Sequence, residues 1–220
     1  MRSVFKKLIK IIAIYSLLVT SVTAEKLMVF NFTEEELNSL EVRKVRGADA
    51  KTLYSIGNNE NGNYLKAVAV NAASGVGKEI KINLDKTPFI NITWKIEKDL
   101  KGIKENTKKG HDFAARVFVI KKTGATPLSN RAINYVFSSN SNVGETWPSP
   151  YTKKSIDSVL ASTKSNLNEW VTVKANVKVD FKKFHDLDVE ELSGIAIMAD
   201  TDNSKLTAVS YYQNIFFSSE

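Results

Sequence analysis

The stretch that decides the fold is residues 194–217, which read GIAIMADTDNSKLTAVSYYQNIFF. Its first arm, residues 195–199, is apolar on both faces. Its second arm, residues 206–217, is rich in aromatic and β-branched residues, as buried strands require. A short acidic turn with the sequence DTDN joins the arms. The pattern predicts a β-hairpin with a polar tip, around which the other strands of the chain are arranged.

The polar tip is the best functional candidate in the chain. Asp200 and Asp202 stand two residues apart, so on a continuing strand they project to the same side and repel unless a positive group is near. A calcium loop of the EF-hand type is excluded, because Lys205 and Tyr211 occupy the positions that need Gly and Glu. A different calcium site, at Asp200, Asp202 and Asn203, is an alternative, but we expect no metal and no cofactor.

The N-terminus has the three parts of a secretory signal peptide. Four basic residues lie within residues 1–10, an apolar run follows at 11–19, and small residues at 22–24 suit a signal peptidase. A membrane anchor needs about 20 apolar residues, roughly twice the length of this run. We therefore expect cleavage after residue 24, no remaining transmembrane span, and a periplasmic or secreted protein.

The composition of the remaining 196 residues limits the classes of protein to which the chain can belong. Their size fits one β-rich domain over residues 25–220. The formal charge of +7 falls to +3 when the signal segment leaves, because 27 basic residues then face 24 acidic ones. The sequence pI of 9.3 is thus no sign of nucleic-acid binding. With no cysteine, the hydrophobic core alone must hold the fold.

Period-two alternation dominates the pattern and predicts an all-β fold. Residues 89–97 place three isoleucines and Trp94 on one face, and residues 170–180 alternate in the same way. We count about ten strands and no amphipathic helix of three turns. The chain is therefore predicted to be a β-sandwich or jelly roll that resembles carbohydrate-binding modules, rather than an α/β protein.

One strand carries a charge where an apolar residue is expected. Residues 113–121 are apolar on both faces except for Arg116. A guanidinium there is at least partly desolvated and cannot lose its charge, so it needs a carboxylate partner. Asp112 on the same strand is one possibility.

Catalytic patterns are few. The two histidines, His111 and His185, cannot form a usual structural zinc set without cysteine, and each is interpreted as a surface residue. Asp112 and Asp200 could act as the acid and base of a glycosidase if their carboxyl groups lay about 5 to 9.5 Å apart.

Aromatic residues give a second indication of function, because sugar rings stack on aromatic faces. Trp147, in a polar loop over residues 139–151, and Tyr151 could form such a platform, as could Tyr211 or Tyr212. The other two tryptophans, Trp94 and Trp170, are predicted to lie in the core.

Five sequence blocks together resemble a known family: GHDFAARVFV at 110–119, NYV at 134–136, WP at 147–148, NV at 176–177 with Asp180, and IMADTDN at 197–203. They are similar to the bacterial domain-of-unknown-function family 3047, in order and over most of the mature chain. The resemblance implies an exported protein and supplies no mechanism, because the family has no established activity. The family pattern has an acidic residue at position 111, a tryptophan at 137 and Gly-Asp at 213–214, whereas this chain has His111, Phe137 and Gln213-Asn214. The chain thus lacks two carboxylates that a metal site would use.

The matching polar residues, Asp112, Arg116, Asp200, Asp202 and Asn203, are predicted to form one cluster. Our first hypothesis is a monomeric, exported β-sandwich that binds a glycan or another envelope component at this cluster and Trp147. One alternative is a polysaccharide hydrolase or lyase that uses Asp112 and Asp200. Another is a structural envelope protein in which the cluster is a buried Asp/Arg network.

Overall fold

The computed structural model describes residues 24–220, so the predicted signal peptide lies, apart from Ala24, outside the described part of the chain. The described backbone forms thirteen strands, more than the ten or so predicted, and three short α-helices. The strands are β1 (Lys26–Met28), β2 (Arg43–Lys44), β3 (Leu53–Asn59), β4 (Gly62–Val70), β5 (Ala73–Asn83), β6 (Phe89–Lys98), β7 (Ala115–Lys121), β8 (Arg131–Ser138), β9 (Thr146–Ser149), β10 (Thr152–Ser162), β11 (Val171–Asn176), β12 (Glu191–Asp200) and β13 (Thr207–Ser218). The helices are α1 (Glu34–Ser39), α2 (Thr163–Asn166) and α3 (Val177–His185). Within residues 24–220, no helix has the length and apolar character needed to cross a membrane.

The strands form two sheets that pack face to face, which confirms the predicted β-sandwich. Sheet A has the order β11-β6-β13-β4-β3, with β1 also paired to β13. Sheet B has the order β2-β5-β12-β7-β8-β10-β9. β8 and β10 pair in parallel, and the other neighbouring strands pair antiparallel.

The core lies between the sheets, and the alternation on β6 shows how the sequence builds it. Ile90, Ile92, Trp94 and Ile96 are fully buried, as predicted. The ring of Trp94 in sheet A lies 5.5 Å from that of Phe137 in sheet B, centroid to centroid. Each such side chain contributes roughly 1.5 to 3 kcal/mol through burial, so these inward faces hold the two sheets together.

The predicted hairpin over residues 194–217 is wrong, because its two arms lie in different sheets. β12 pairs with β5 and β7 in sheet B, whereas β13 pairs with β4, β6 and β1 in sheet A. Both arms are central strands, which explains why both are apolar. Residues 201–206 therefore form a crossover from one sheet to the other rather than a hairpin tip.

The predicted strand over residues 170–180 is correct only in its first half. β11 ends at Asn176, whose side chain accepts a hydrogen bond from the Val179 backbone N–H at 3.0 Å and so begins α3. In the helix, Val177 and Phe181 are buried four residues apart, while Val179 is exposed. The alternation of apolar and polar residues continues past residue 176, but Asn176 acts as an N-cap residue and begins a helix there.

Two crossovers meet at one end of the sandwich and position the candidate site. Residues 99–114 lead from β6 in sheet A to β7 in sheet B, and residues 201–206 lead back from β12 to β13. β7 and β12 are antiparallel neighbours, so the start of β7 lies beside the end of β12. The blocks containing Asp112 and Asp200 are thereby brought together.

Candidate functional site

The candidate site is a cluster of polar side chains where the two crossovers meet. The structure brings together Asp112, Arg116, Asp200, Asp202 and Asn203. One backbone contact joins the end of β12 to the first crossover, because the Asp200 N–H donates to the Phe113 carbonyl at 3.1 Å. The Asp200 carboxyl group accepts the Phe113 N–H in return, at 3.2 Å.

Arg116 finds its partner in Asp200 rather than in Asp112. Its Nη2 donates a hydrogen bond to Oδ2 of Asp200, and the two residues are 4% and 2% exposed. The guanidinium carbon lies 5.2 Å from the ring centroids of both Phe113 and Phe118, which shield it from water. Burial raises the pKa of Asp200 to about 8, and the Arg116 charge opposes that rise.

Asp112 holds the second crossover in place. It is completely buried and accepts three hydrogen bonds from that segment. Its Oδ1 accepts from the Asn203 backbone N–H at 3.2 Å and from Asn203 Nδ2 at 2.9 Å, and its Oδ2 accepts from the Ser204 N–H at 2.6 Å. All three donors belong to the segment that follows β12, so Asp112 fixes the shape of the second crossover.

The accessible side of the cluster is formed by Asp202, Asn203 and Tyr151. Tyr151 is 57% exposed, and its hydroxyl group donates to Oδ1 of Asn203 at 2.6 Å. Asp202 is half-buried, and burial together with the Asp112 carboxylate raises its pKa. Burial, and after it the nearby charge of Asp202, likewise raises the pKa of the Tyr151 hydroxyl group.

Three carboxyl groups of the cluster fit part of a metal site. Asp112, Asp200 and Asp202 each offer an oxygen, and these oxygens lie within 4.8 Å of one another. Hard cations such as calcium prefer such ligands. However, Arg116 already supplies a positive charge to Asp200, and both Asp112 oxygens accept backbone N–H groups. Protein groups thus already bind the Asp112 and Asp200 oxygens that a cation would need.

A buried triad beside the cluster was missed by the sequence interpretation. His111, expected at the surface, is 5% exposed, and its Nε2 lies 2.8 Å from Oδ2 of Asp157. Asn134 Nδ2 donates to the other oxygen of Asp157 at 2.7 Å. Asp157 and Asn134 occupy neighbouring positions on the paired strands β10 and β8, a register that only the fold reveals.

The predicted aromatic residues fall in separate places. Trp147 on β9 is half-buried against Phe113, Val136 and Val159, so it lies beside the cluster rather than within it. Tyr212 is fully buried, and its hydroxyl group donates to the Met198 carbonyl at 2.7 Å. Of the aromatic candidates, Tyr151 is the one exposed at the polar cluster.

Trp170 is not in the core, contrary to the sequence interpretation. It is half-buried and packs with Tyr64 and Tyr211, at centroid distances of 6.0 and 6.1 Å. The Lys95 ammonium lies 4.4 Å from the Tyr211 ring centroid. Tyr211 is 7% exposed, and Trp170 and Tyr64 are half-buried, so this group stabilises the surface of sheet A.

A groove of about 520 Å³ opens beside the accessible side of the cluster. Asn203, Ser204 and Leu206 line one wall. The loop that follows β6 contributes the other lining residues, which are Lys101, Gly102, Ile103, Lys104, Thr107, Lys109 and Gly110. Its volume is within the range of small-molecule binding sites.

Solved structures with a similar fold include carbohydrate-binding modules. The family 30 carbohydrate-binding module of the cellulosomal cellulase Cel9D-Cel44B of Clostridium thermocellum has a TM-score of 0.51 and 8% identity, over 89% of this chain and 98% of that chain. The family 11 carbohydrate-binding module of Lic26A-Cel5E of the same organism has a TM-score of 0.45 and 13% identity, over 90% of this chain and 95% of that chain. The likeness to the family 30 module shows a shared β-sandwich fold.

The sequence comparisons give the family. No curated protein sequence matches the chain significantly. The model of the family described as "Protein of unknown function (DUF3047)" matches residues 38–216, which include every residue of the polar cluster. The chain therefore belongs to the DUF3047 family.

Proposed function

We propose that this protein is an exported, non-catalytic module that binds a glycan at the accessible side of the polar cluster. The observation that carries the proposal is the exposed ring of Tyr151, hydrogen-bonded to Asn203 and adjacent to Asp202. An aromatic face beside an amide and a carboxyl group offers a sugar both an apolar surface and hydrogen-bond partners.

The buried members of the cluster support binding by holding this surface in one shape. Asp112 fixes Asn203 and Ser204, and Asp200 ties the end of β12 to Phe113. A site whose groups are already positioned loses less conformational entropy when a ligand binds. The buried Asp/Arg network and the binding surface are therefore two parts of one arrangement.

Burial argues against the hydrolase alternative. Glycosidases place two carboxyl groups on either side of the scissile bond, where both contact the sugar. Asp112 and Asp200 are 0% and 2% exposed, and their oxygens accept hydrogen bonds from the protein. They are thus poorly placed to reach a polysaccharide as acid and base.

Export is the second component of the proposal. The basic, apolar and small-residue segments in residues 1–24 support it. Expression of the full chain followed by fractionation tests it, with the expected product in the periplasm or medium beginning at Glu25. A full-length product retained in the cytoplasm or membrane would contradict export.

A glycan array tests binding, with hits then titrated by calorimetry against protein expressed from the full chain. Tyr151→Ala is expected to weaken binding about tenfold or more, equivalent to about 1.4 kcal/mol or more, without lowering the thermal midpoint. Leu128→Ala is the matched control, because Leu128 is 82% exposed in the connection between β7 and β8, away from the cluster. No binding to any glycan, or equal effects of the two variants, would contradict the proposal, as would release of reducing ends that Asp112→Asn abolishes.

A further inference from the structure

The groove beside Asn203 is lined by lysine side chains. Among the residues that the structure describes, its lining includes Lys101, Lys104 and Lys109 and no carboxylate. Lys101 lies 3.7 Å from Asp99, but Lys104 and Lys109 form no ion pair with any described residue. Asp99 partly neutralises Lys101, so Lys104 and Lys109 are the cations that can attract an anion into this concavity.

The loop that carries these lysines is anchored by a buried carboxylate. Glu105 is 2% exposed and accepts hydrogen bonds from the Ser139 N–H at 2.8 Å, from Asn140 Nδ2 at 3.2 Å and from the Ser138 hydroxyl group. The Glu105 carboxylate thus faces inward, toward the end of β8 and the residues after β8. Its negative charge therefore does not neutralise the lysines that line the groove.

The loop is also closed tightly on itself. The Thr107 N–H donates to the Lys104 carbonyl at 3.0 Å, and the Gly110 N–H donates to the Thr107 carbonyl at 3.1 Å. Asn140 Oδ1 accepts the Gly102 N–H at 2.8 Å. These contacts fix the backbone on both sides of Lys104, so the groove is formed before any ligand arrives.

Asn203 connects the groove to the proposed sugar surface. It lines the groove, and its Oδ1 accepts the hydrogen bond of Tyr151. A chain that stacks on Tyr151 would therefore have its neighbouring unit directed at the lysines. Ser204 in the groove offers a hydroxyl group for a further hydrogen bond, whereas the Thr107 hydroxyl group already donates to the Lys104 carbonyl at 2.8 Å.

We propose that this groove binds the anionic group of an acidic glycan, a carboxylate or a sulfate, through Lys104 and Lys109. This inference rests on the proposed glycan-binding function and specifies its ligand class. Lysine suits the task because it presents a mobile point charge that accepts either kind of anion. The preferred ligand is thus an acidic rather than a neutral polysaccharide.

The test measures binding of four probes to protein expressed from the full chain. The probes are a neutral cello-oligosaccharide, an oligogalacturonate with carboxylates, a chondroitin sulfate oligosaccharide with carboxylates and sulfates, and poly-L-glutamate as an anion without sugar. The variant Lys104→Gln/Lys109→Gln is compared with Lys81→Gln/Lys86→Gln, which removes the same charge from exposed positions at the other end of the sandwich.

We expect an acidic oligosaccharide to bind more tightly than the neutral one. The groove variant should weaken that binding about tenfold or more, while the control variant changes it less than about twofold. Raising the salt from 50 to 500 mM should weaken it as well, because exposed charges are screened. The oligogalacturonate and chondroitin sulfate arms show whether carboxylate alone suffices or sulfate is needed.

The other outcomes overturn the inference in distinguishable ways. If the neutral probe binds as well as the acidic ones and the groove variant has no effect, the anionic preference is wrong while the glycan-binding function stands. If poly-L-glutamate binds as tightly as the acidic sugars, the groove is a general anion site and not a glycan site. If no probe binds but another neutral glycan of the array does, the anionic preference is wrong while the glycan-binding function stands. If no glycan binds in either experiment, both proposals fail.

Discussion

Arg116 near the start of β7 donates a hydrogen bond to Asp200 at the end of β12, and both side chains are buried. The contact joins two neighbouring strands of sheet B at the point where the chain leaves for sheet A. Because a guanidinium cannot lose its proton in a protein, Arg116 stays charged at this buried position and uses Asp200 as its hydrogen-bond acceptor.

Asp200→Ala is expected to destabilise the protein strongly. It removes the acceptor of both Arg116 and the Phe113 N–H, and it leaves a buried cation without a partner. Leaving these two buried donors without an acceptor costs about 1 to 3 kcal/mol each, a combined fall in thermal midpoint of about 4 to 24 °C for a domain of this size. The double variant Arg116→Met/Asp200→Ala should recover part of the loss, and an equal or lower midpoint for the double variant would contradict this account.

The stability of the wild-type protein should contain a component that falls as pH rises. Burial raises the pKa of Asp200 from 3.8 to about 8, so between these values the folded state holds a proton that the unfolded state has released. This proton contributes stability that is fully present at low pH and is lost as pH rises, by at most about 1.4 kcal/mol per pH unit.

Asp200→Asn isolates that component, because the amide does not titrate but keeps an oxygen acceptor. Urea unfolding from pH 4 to 9 should show the two proteins converging at low pH and the variant equal or more stable at pH 8. Groups such as His185 titrate in both proteins and cancel in the difference. A wild-type advantage that grows with pH would show that the charged form of Asp200 is the favoured one.

Asp112→Asn should loosen the second crossover. The amide keeps one oxygen, but its NH2 group would face either the Ser204 N–H or the Asn203 donors. Loss of a charge-assisted hydrogen bond costs about 1.5 to 3 kcal/mol, or about 3 to 12 °C in thermal midpoint. Hydrogen exchange should accelerate at Asn203 and Ser204, and unchanged exchange there would contradict the assigned role of Asp112.

Calcium should leave the thermal midpoint unchanged within about 1 °C, in wild type and in Asp202→Asn. The carboxyl groups of Asp112 and Asp200 are satisfied by protein donors, so they offer little to a cation. A ligand that binds only the folded state raises the midpoint with its concentration. A calcium-dependent rise in wild type that the variant lacks would identify a metal site at the three carboxylates.

Gly110→Ala should damage the groove without touching a lysine. An added Cβ at Gly110 would lie 2.6 Å from the Lys104 carbonyl oxygen and 2.8 Å from its nitrogen, so the loop backbone would have to move. Such overpacking costs about 1 to 3 kcal/mol. Binding of an acidic oligosaccharide should weaken in parallel, and retained binding with retained stability would show that this loop is not rigid.

Much of the fold could be predicted from local pattern. The alternation of β6 identifies a half-buried strand, because side chains on a strand project to opposite faces. The Asn61-Gly62 pair indicates the β3–β4 hairpin, and Thr33 indicates the start of α1, since each acts on its neighbours in sequence. The choice of family also rests on sequence blocks, and the family model confirms it.

The sequence by itself determined the β-rich class, the family and the identity of the polar residues in the cluster. All three can be read from composition and from short blocks of consecutive residues. Only the tertiary structure decided that residues 194–217 divide between two sheets, that Asp200 rather than Asp112 contacts Arg116, and that His111 is buried on Asp157. The physical reason is that strand pairing and side-chain burial are set by partners distant in sequence. Alternation specifies which face of a strand is apolar, but the strands that cover that face are chosen when the two sheets pack together.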